Sequence, residues 1–190
     1  MFIEATVWNF FIGKGFTEQQ VAGIMGNVEK ESTWNPLAHS KDKSYWGLFQ
    51  IDTTQTKKLY KLYREADLDK SIYDYNNNTY WAIDSKYSIP RVDLMEILKI
   101  QLNFVYDKCV PASNVWKEKL RGADKPEKAS EAFQVFFEGN TSTHTDANKI
   151  LYYHGGNNST LYYGGAAERR TASRTYYNNC NLYEGFNLWF

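Results

Sequence analysis

"FTEQQVAGIMGNVEKESTWNP", residues 16–36, carries the strongest helix signal in the chain and, near its end, two carboxylates whose placement asks for an explanation. Thr17 is a capping residue, and Gln20 stands three positions on, as in a capping box. Phe16 and Val21 have the spacing of a hydrophobic staple. The pattern predicts a helix from Glu18 to Ser32. Pro36 cannot continue it, and Asn35, preceding a proline, is turned away from the α region. On that helix Val21, Ile24, Val28 and Glu31 follow at spacings of three, four and three, the pattern of a buried stripe. Glu31 therefore lies on the line of the apolar face, one turn beyond Val28. Glu29 and Lys30 point elsewhere.

Burial disfavours the charged form of a carboxyl group. A general acid must hold its proton near neutral pH, so a carboxyl on an apolar stripe suits that task. The plainer reading is a helix end emerging into water, with its carboxylate at the unfavourable end of the helix dipole. The helix alone leaves both readings open.

Composition narrows the classes. A chain of 190 residues suggests one domain, 1–190, large enough to bury a core without cross-links. Lys and Arg balance Asp and Glu, so no basic excess points to nucleic acid and no charge run to a membrane surface. Aromatic residues make up 17%, which suits flat sugar faces as well as an ordinary core. The start, "MFIEATVWNFFIG", is apolar but has Glu4 and no basic n-region, so it does not read as a signal peptide. Cys109 and Cys180 could pair, but spacing does not establish it.

Further helices are expected at 2–12, in "TTQTKKLYKLYREA" (53–66), in "VDLMEILKIQLNFVYDKCV" (92–110), in "KPEKASEAFQVFFEG" (125–139) and in "AAERRTASRTYYNN" (166–179). "SYWGLFQIDTT" (44–54) changes period around Gly47 and predicts a short hairpin or extended turn. Residues 69–92, rich in Asn, Asp and Tyr, and "YYHGGNNSTLYYGG" (152–165) read as loops. The sum is a mainly α domain of α+β type, with one small β-hairpin element.

The Glu-Ser pair at 31–32, then Asn35-Pro36, then Gly47-Leu48-Phe49-Gln50 resembles two linked motifs of lysozyme-like muralytic enzymes. With "AGIMGN" (22–27) and the later helices, the chain is most similar to the phage-tail lysozyme family of tail-tip proteins and endolysins. The resemblance covers about residues 6–178, with 179–190 left as a linker or tail. It implies a lysozyme-like fold whose hairpin flanks a sugar cleft. It also implies a peptidoglycan substrate and cleavage of the β-1,4 bond between N-acetylmuramic acid and N-acetylglucosamine. Glu31 would be the general acid. Tyr45 and Trp46 would stack on or hydrogen-bond to sugars, and Gln50 would hold an acetamido group or a water, while packing for Trp46 and turn stabilisation for Gln50 are the plainer alternatives. No cofactor or metal is implied. Expected partners are peptidoglycan and other phage tail or lysin components, with no nucleic acid or membrane. The expected location is the virion tail, or the host cell after release, acting on the wall.

The chain departs from the family pattern after Gln50. Ile51 and Asp52 follow, as in lytic transglycosylases, which form a 1,6-anhydro ring instead of adding water. An inverting hydrolase would want a second carboxylate about 6.5–9.5 Å from the first. Asp42 and Asp52 are the candidates, though turn roles suit both. Glu138, at a helix end, could support the cleft floor, though a plain helix-terminal role suits it better. A cysteine peptidase would pair Cys109 with His144 or His154, but no motif around Cys109 supports it. His39, His144 and His154 show no zinc-ligand spacing. The non-enzymatic alternative is a wall-binding or structural tail module that keeps the fold without activity.

Overall fold

The computed structural model describes residues 2–38, 40, 45–68, 91–107, 113–137 and 166–184. Asp42, His39, Cys109, Glu138, His144 and His154 lie outside them, as do residues 69–90 and 152–165. Among the described residues are seven α-helices: α1 (Phe2–Gly13), α2 (Glu18–Ser32), α3 (Thr53–Glu65), α4 (Arg91–Asp107), α5 (Ser113–Arg121), α6 (Pro126–Phe136) and α7 (Ala166–Asn178). A short 3₁₀ turn, Cys180–Leu182, follows α7. Two strands, β1 (Tyr45–Trp46) and β2 (Ile51–Asp52), pair antiparallel, with Tyr45 opposite Asp52 and Trp46 opposite Ile51. The chain is mainly α, as expected. It divides into two compact units, Met1–Lys30 with Val110–Phe190, and Glu31–Cys109.

In the first unit α2 starts where its capping box places it. The Thr17 amide donates to Gln20 Oε1 at 3.0 Å, and the Gln20 amide to Thr17 Oγ1 at 3.4 Å. Gln20 does more than cap. Its Nε2 donates to the carbonyls of Arg121, at 2.9 Å, and Ala123, at 3.3 Å, and so ties the start of α2 to the end of α5. Phe16 and Val21 are both buried.

From Gln20 to Val28 every residue of α2 is buried. The helix is thus enclosed on all sides, not merely along a stripe. Two glycines permit this. A Cβ on Gly23 would collide with Ala129 and come within 2.6 Å of the Ser130 nitrogen, both on α6. A Cβ on Gly26 would collide with Ser173 and come within 2.5 Å of the Arg169 carbonyl, both on α7. Asn27 fills the gap between. Its Nδ2 donates to the Ser130 carbonyl at 3.1 Å, and its Oδ1 accepts from Arg169 Nη1 at 3.0 Å. The "AGIMGN" segment is therefore the crossing point of three helices. Since backbone cannot retreat as a side chain can, Gly23→Ala should lower the unfolding free energy by about 2–3 kcal/mol. Chemical denaturation with an unchanged m-value would read it.

Helices α6 and α7 are also joined by ion pairs, Glu131 to Arg170 at 2.9 Å and Glu127 to Arg174 at 3.3 Å. Glu131 is buried. Desolvation raises its pKa above the usual glutamate value, and the Arg170 hydrogen bond and charge only partly oppose this. The folded state thus binds the Glu131 proton more tightly than the unfolded state does. The stability contributed by this group is fully present below the unfolded-state pKa and is lost as pH rises through the raised folded-state pKa. Gln is close in shape to the protonated acid, so Glu131→Gln should stay near the parent protein in stability at low pH and, lacking that part of the pH slope, gain relative to it as pH rises through the carboxylate range. Denaturant midpoints measured across the carboxylate range check the sign.

Helix α5 has no counterpart among the expected elements. "SNVWKEKLR" is too short for periodicity to register, and a nine-residue helix is marginal alone. Packing holds it. Trp116 is fully buried, stacked 6.0 Å from Phe16 and edge-on to Phe133 at 5.4 Å.

In the second unit α3 and α4 pack together and carry the hairpin. Ile97, Leu98, Leu102 and Val105 of α4 are fully buried, while Leu94 is half-buried. The expected apolar face is therefore present. It also contains a polar residue, Gln101, exposed by only 1%.

Candidate active site

Glu31 is the first residue of the second unit. It is half-buried, whereas Glu29 and Lys30 before it are exposed, as the helical wheel requires. The helix stops one residue later by a route that Pro36 did not foretell. Thr33 and Trp34 both adopt left-handed backbone, with φ of 50° and 62°. For a β-branched and a bulky aromatic residue this conformation is strained. It reverses the chain at once after the Glu-Ser pair, and the Asn35 amide returns to the Ser32 carbonyl at 3.0 Å.

From there the chain runs onto the hairpin. Asn35 Oδ1 accepts from the Leu37 amide at 2.9 Å, forming an Asx turn. The Gly47 amide donates to the Ala38 carbonyl at 2.9 Å, and the Ser40 amide to the Tyr45 carbonyl at 3.1 Å. Ser40 Oγ accepts from the Tyr45 amide at 3.1 Å. Ala38 and Ser40 thus lie along Tyr45 to Gly47. Two motifs separated in sequence are joined backbone to backbone, and the carboxylate-bearing helix end is connected by a short braced segment to the hairpin.

Two glutamines complete the bracing. Gln50, itself at φ 45°, donates Nε2 to the Gly47 carbonyl at 2.9 Å and the Ala38 carbonyl at 3.2 Å. Both partners are acceptors, which fixes which end of the amide is nitrogen. Gln101 reaches from α4. Its Oε1 accepts from the Leu48 amide at 3.0 Å, and its Nε2 donates to the Pro36 carbonyl at 2.7 Å. One buried side chain therefore holds both the segment after Glu31 and the tip of the hairpin. Gly47 makes room for it. Its φ is 77°, and a Cβ there would stand 2.7 Å from Gln101 Oε1.

The other expected site residues take distinct positions. Tyr45 is 49% exposed, so its ring is available to a ligand. Trp46 is only 2% exposed, edge-on to Tyr60 at 6.0 Å. Strand alternation points it inward, so its ring packs the hairpin onto α3, the packing role that the sequence left open beside sugar contact. Asp52 is the N-cap of α3. Its Oδ1 accepts from the amides of Thr54 at 2.7 Å and Gln55 at 3.1 Å. This is the turn role the sequence already favoured for it. Sequence reasoning missed Gln101. A Gln between Ile97-Leu98 and Leu102 on a buried face was the available signal, because a buried amide needs partners.

The family model described as phage tail lysozyme matches residues 3–179. The chain belongs to the phage tail lysozyme family. Its mainly α architecture with a small antiparallel hairpin is the lysozyme-like fold. Membership makes it a lysozyme-like cell-wall hydrolase of glycosidase type, with peptidoglycan as substrate class and a phage tail or the wall as its place of action. No curated protein and no solved structure matches the chain.

Proposed function

We propose that this phage tail lysozyme is a muramidase, hydrolysing the β-1,4 bond between N-acetylmuramic acid and N-acetylglucosamine with Glu31 as general acid. The observation that carries the reading is the position of Glu31. It is half-buried at the end of α2, and the next segment is hydrogen-bonded to the hairpin. A proton donor has to be held in one geometry, and two glutamines and a strained turn supply rigidity here. Glu31 gives its proton to the leaving glycosidic oxygen as the bond to the muramic acid C1 breaks. Water then adds at C1, and its proton returns to the Glu31 carboxylate. Tyr45 presents an exposed ring to a sugar face, and Gln50, its nitrogen committed to the turn, has Oε1 as an acceptor for an acetamido N–H.

One observation favours a second reading. Asp52 is engaged in capping α3, so it is poorly placed to activate water. A lytic transglycosylase needs no such base for water. After Glu31 protonates the glycosidic oxygen and its bond to C1 breaks, the muramic acid's own 6-hydroxyl attacks C1, gives its proton back to the Glu31 carboxylate and closes a 1,6-anhydro ring. Mass spectrometry of digested walls separates the two. Hydrolysis gives reducing muramic acid ends, and anhydro ends as the main product would replace the hydrolase reading. New amino or carboxyl termini in the stem peptide would refute both. Intact walls would leave a binding or structural module.

A further inference from the structure

Tyr45 and Asp52 stand directly opposite each other on the two strands of the hairpin. Each strand has one inward and one outward position. Trp46 and Ile51 are buried, whereas Tyr45 and Asp52 are exposed. Residues directly opposite in an antiparallel pair share a face, with Cβ atoms about 4.5–5.5 Å apart. An aromatic ring and a carboxylate are therefore side by side on the open face of the hairpin.

Both are anchored by the protein itself. Ser40 holds the Tyr45 backbone twice, its Oγ accepting from the Tyr45 amide at 3.1 Å and its amide donating to the Tyr45 carbonyl at 3.1 Å. Asp52 Oδ1 accepts from the amides of Thr54 and Gln55 at the start of α3. Those bonds restrict the carboxylate. They leave Oδ2 without a hydrogen bond or ion pair among the described residues.

We propose that this pair is a subsite for an N-acetylglucosamine residue of the glycan strand. The Tyr45 ring stacks on the apolar face of the sugar, and Asp52 Oδ2 accepts from a sugar hydroxyl. The proposal rests on the glycan-cleaving reading above and adds Asp52 to it as a specificity residue. The choice of sugar follows from what each one can donate. Within a strand, N-acetylglucosamine keeps its 3- and 6-hydroxyls. The 3-oxygen of muramic acid is closed by its lactyl ether and has no proton to give. That ether also leads to the stem peptide, whose carboxylates a second carboxylate repels. Hydrogen bonds to an ionised acceptor are among the stronger ones, and an aromatic ring adds a flat apolar surface with few rotatable bonds.

The test uses the full chain carrying Glu31→Gln, to suppress cleavage, and the β-1,4-linked tetramer of N-acetylglucosamine as probe, with binding read by calorimetry. Asp52→Asn should raise Kd by at least about tenfold, since asparagine puts an NH₂ donor where the sugar hydroxyl needs an acceptor. Asparagine caps a helix as well as aspartate does, so the unfolding midpoint should hold. Asp52→Ser, which also caps, should weaken binding to a similar extent. Tyr45→Thr should raise Kd by at least about fivefold. Glu65→Gln, the same charge change at the other end of α3, should bind as the parent chain does. In the chain that keeps Glu31, Asp52→Asn should raise KM for soluble glycan fragments far more than it lowers kcat, the mark of lost substrate binding. No binding of the tetramer by the parent chain, or an unchanged Kd in the Asp52 or Tyr45 variants, would overturn the proposal. So would a fall in kcat with KM unchanged, which would make Asp52 the group that activates water. The tetramer measurements need no cleavage, so failure of the muramidase reading, seen in the products, is told apart from failure of the subsite.

Discussion

Glu31→Gln is expected to lower the rate of glycan cleavage by at least about a hundredfold, the usual scale for a lost general acid. The substitution keeps the shape of the side chain and its position at the end of α2, so secondary structure and unfolding midpoint should stay near those of the parent. Only the transferable proton is removed. Hydrolysis and transglycosylation both begin with that proton, so the prediction holds whichever product forms. Release of soluble glycan from purified walls measures the rate, and circular dichroism measures the fold. A folded Glu31→Gln protein with full activity would return Glu31 to the role of a solvated helix end.

Gln101→Leu is expected to destabilise the unit Glu31–Cys109 by about 3–5 kcal/mol. Leucine is close to glutamine in volume, so the cavity contribution is small. What is lost is a pair of hydrogen bonds to backbone. The Leu48 amide and the Pro36 carbonyl would both be left without their partner, at about 1–3 kcal/mol each, with poorer packing adding to this. Because the same side chain holds the segment after Glu31 and the hairpin tip, the folded fraction of the variant should also lose activity. Gln101→Glu separates the two bonds. A carboxylate accepts from the Leu48 amide but has no proton for the Pro36 carbonyl, whereas the protonated acid can serve both. That variant should therefore recover stability as pH falls through the carboxylate range, and Gln101→Leu should not. Denaturant unfolding at two pH values decides it. Equal stability of Gln101→Leu and the parent protein would remove Gln101 from its bracing role.

Much of this molecule is written in local chemistry. Thr17 and Gln20 start α2 through bonds that span three residues, and Gly47 marks the hairpin turn because its backbone needs φ > 0. The helical spacing of Val28 and Glu31 sets Glu31 apart from Glu29 and Lys30, because 3.6 residues per turn fixes direction whatever packs outside. Local signals of this kind need no knowledge of distant residues.

Tertiary structure decided the rest. The glycines of "AGIMGN" gave no local sign that α6 and α7 would cross there, since close approach belongs to the partner helices. The period of α4 marked a buried face, but only the fold brought Pro36 and Leu48 to Gln101 across 65 and 53 residues of sequence. Helix α5 exists because Trp116 is buried against Phe16 and Phe133, which lie outside the helix. Trp46 could be read from sequence as a sugar platform. Burial against Tyr60, which depends on where α3 packs, made it core instead. Capping and periodicity act within a few residues and are legible in sequence, whereas burial and long-range hydrogen bonds depend on which distant surfaces meet.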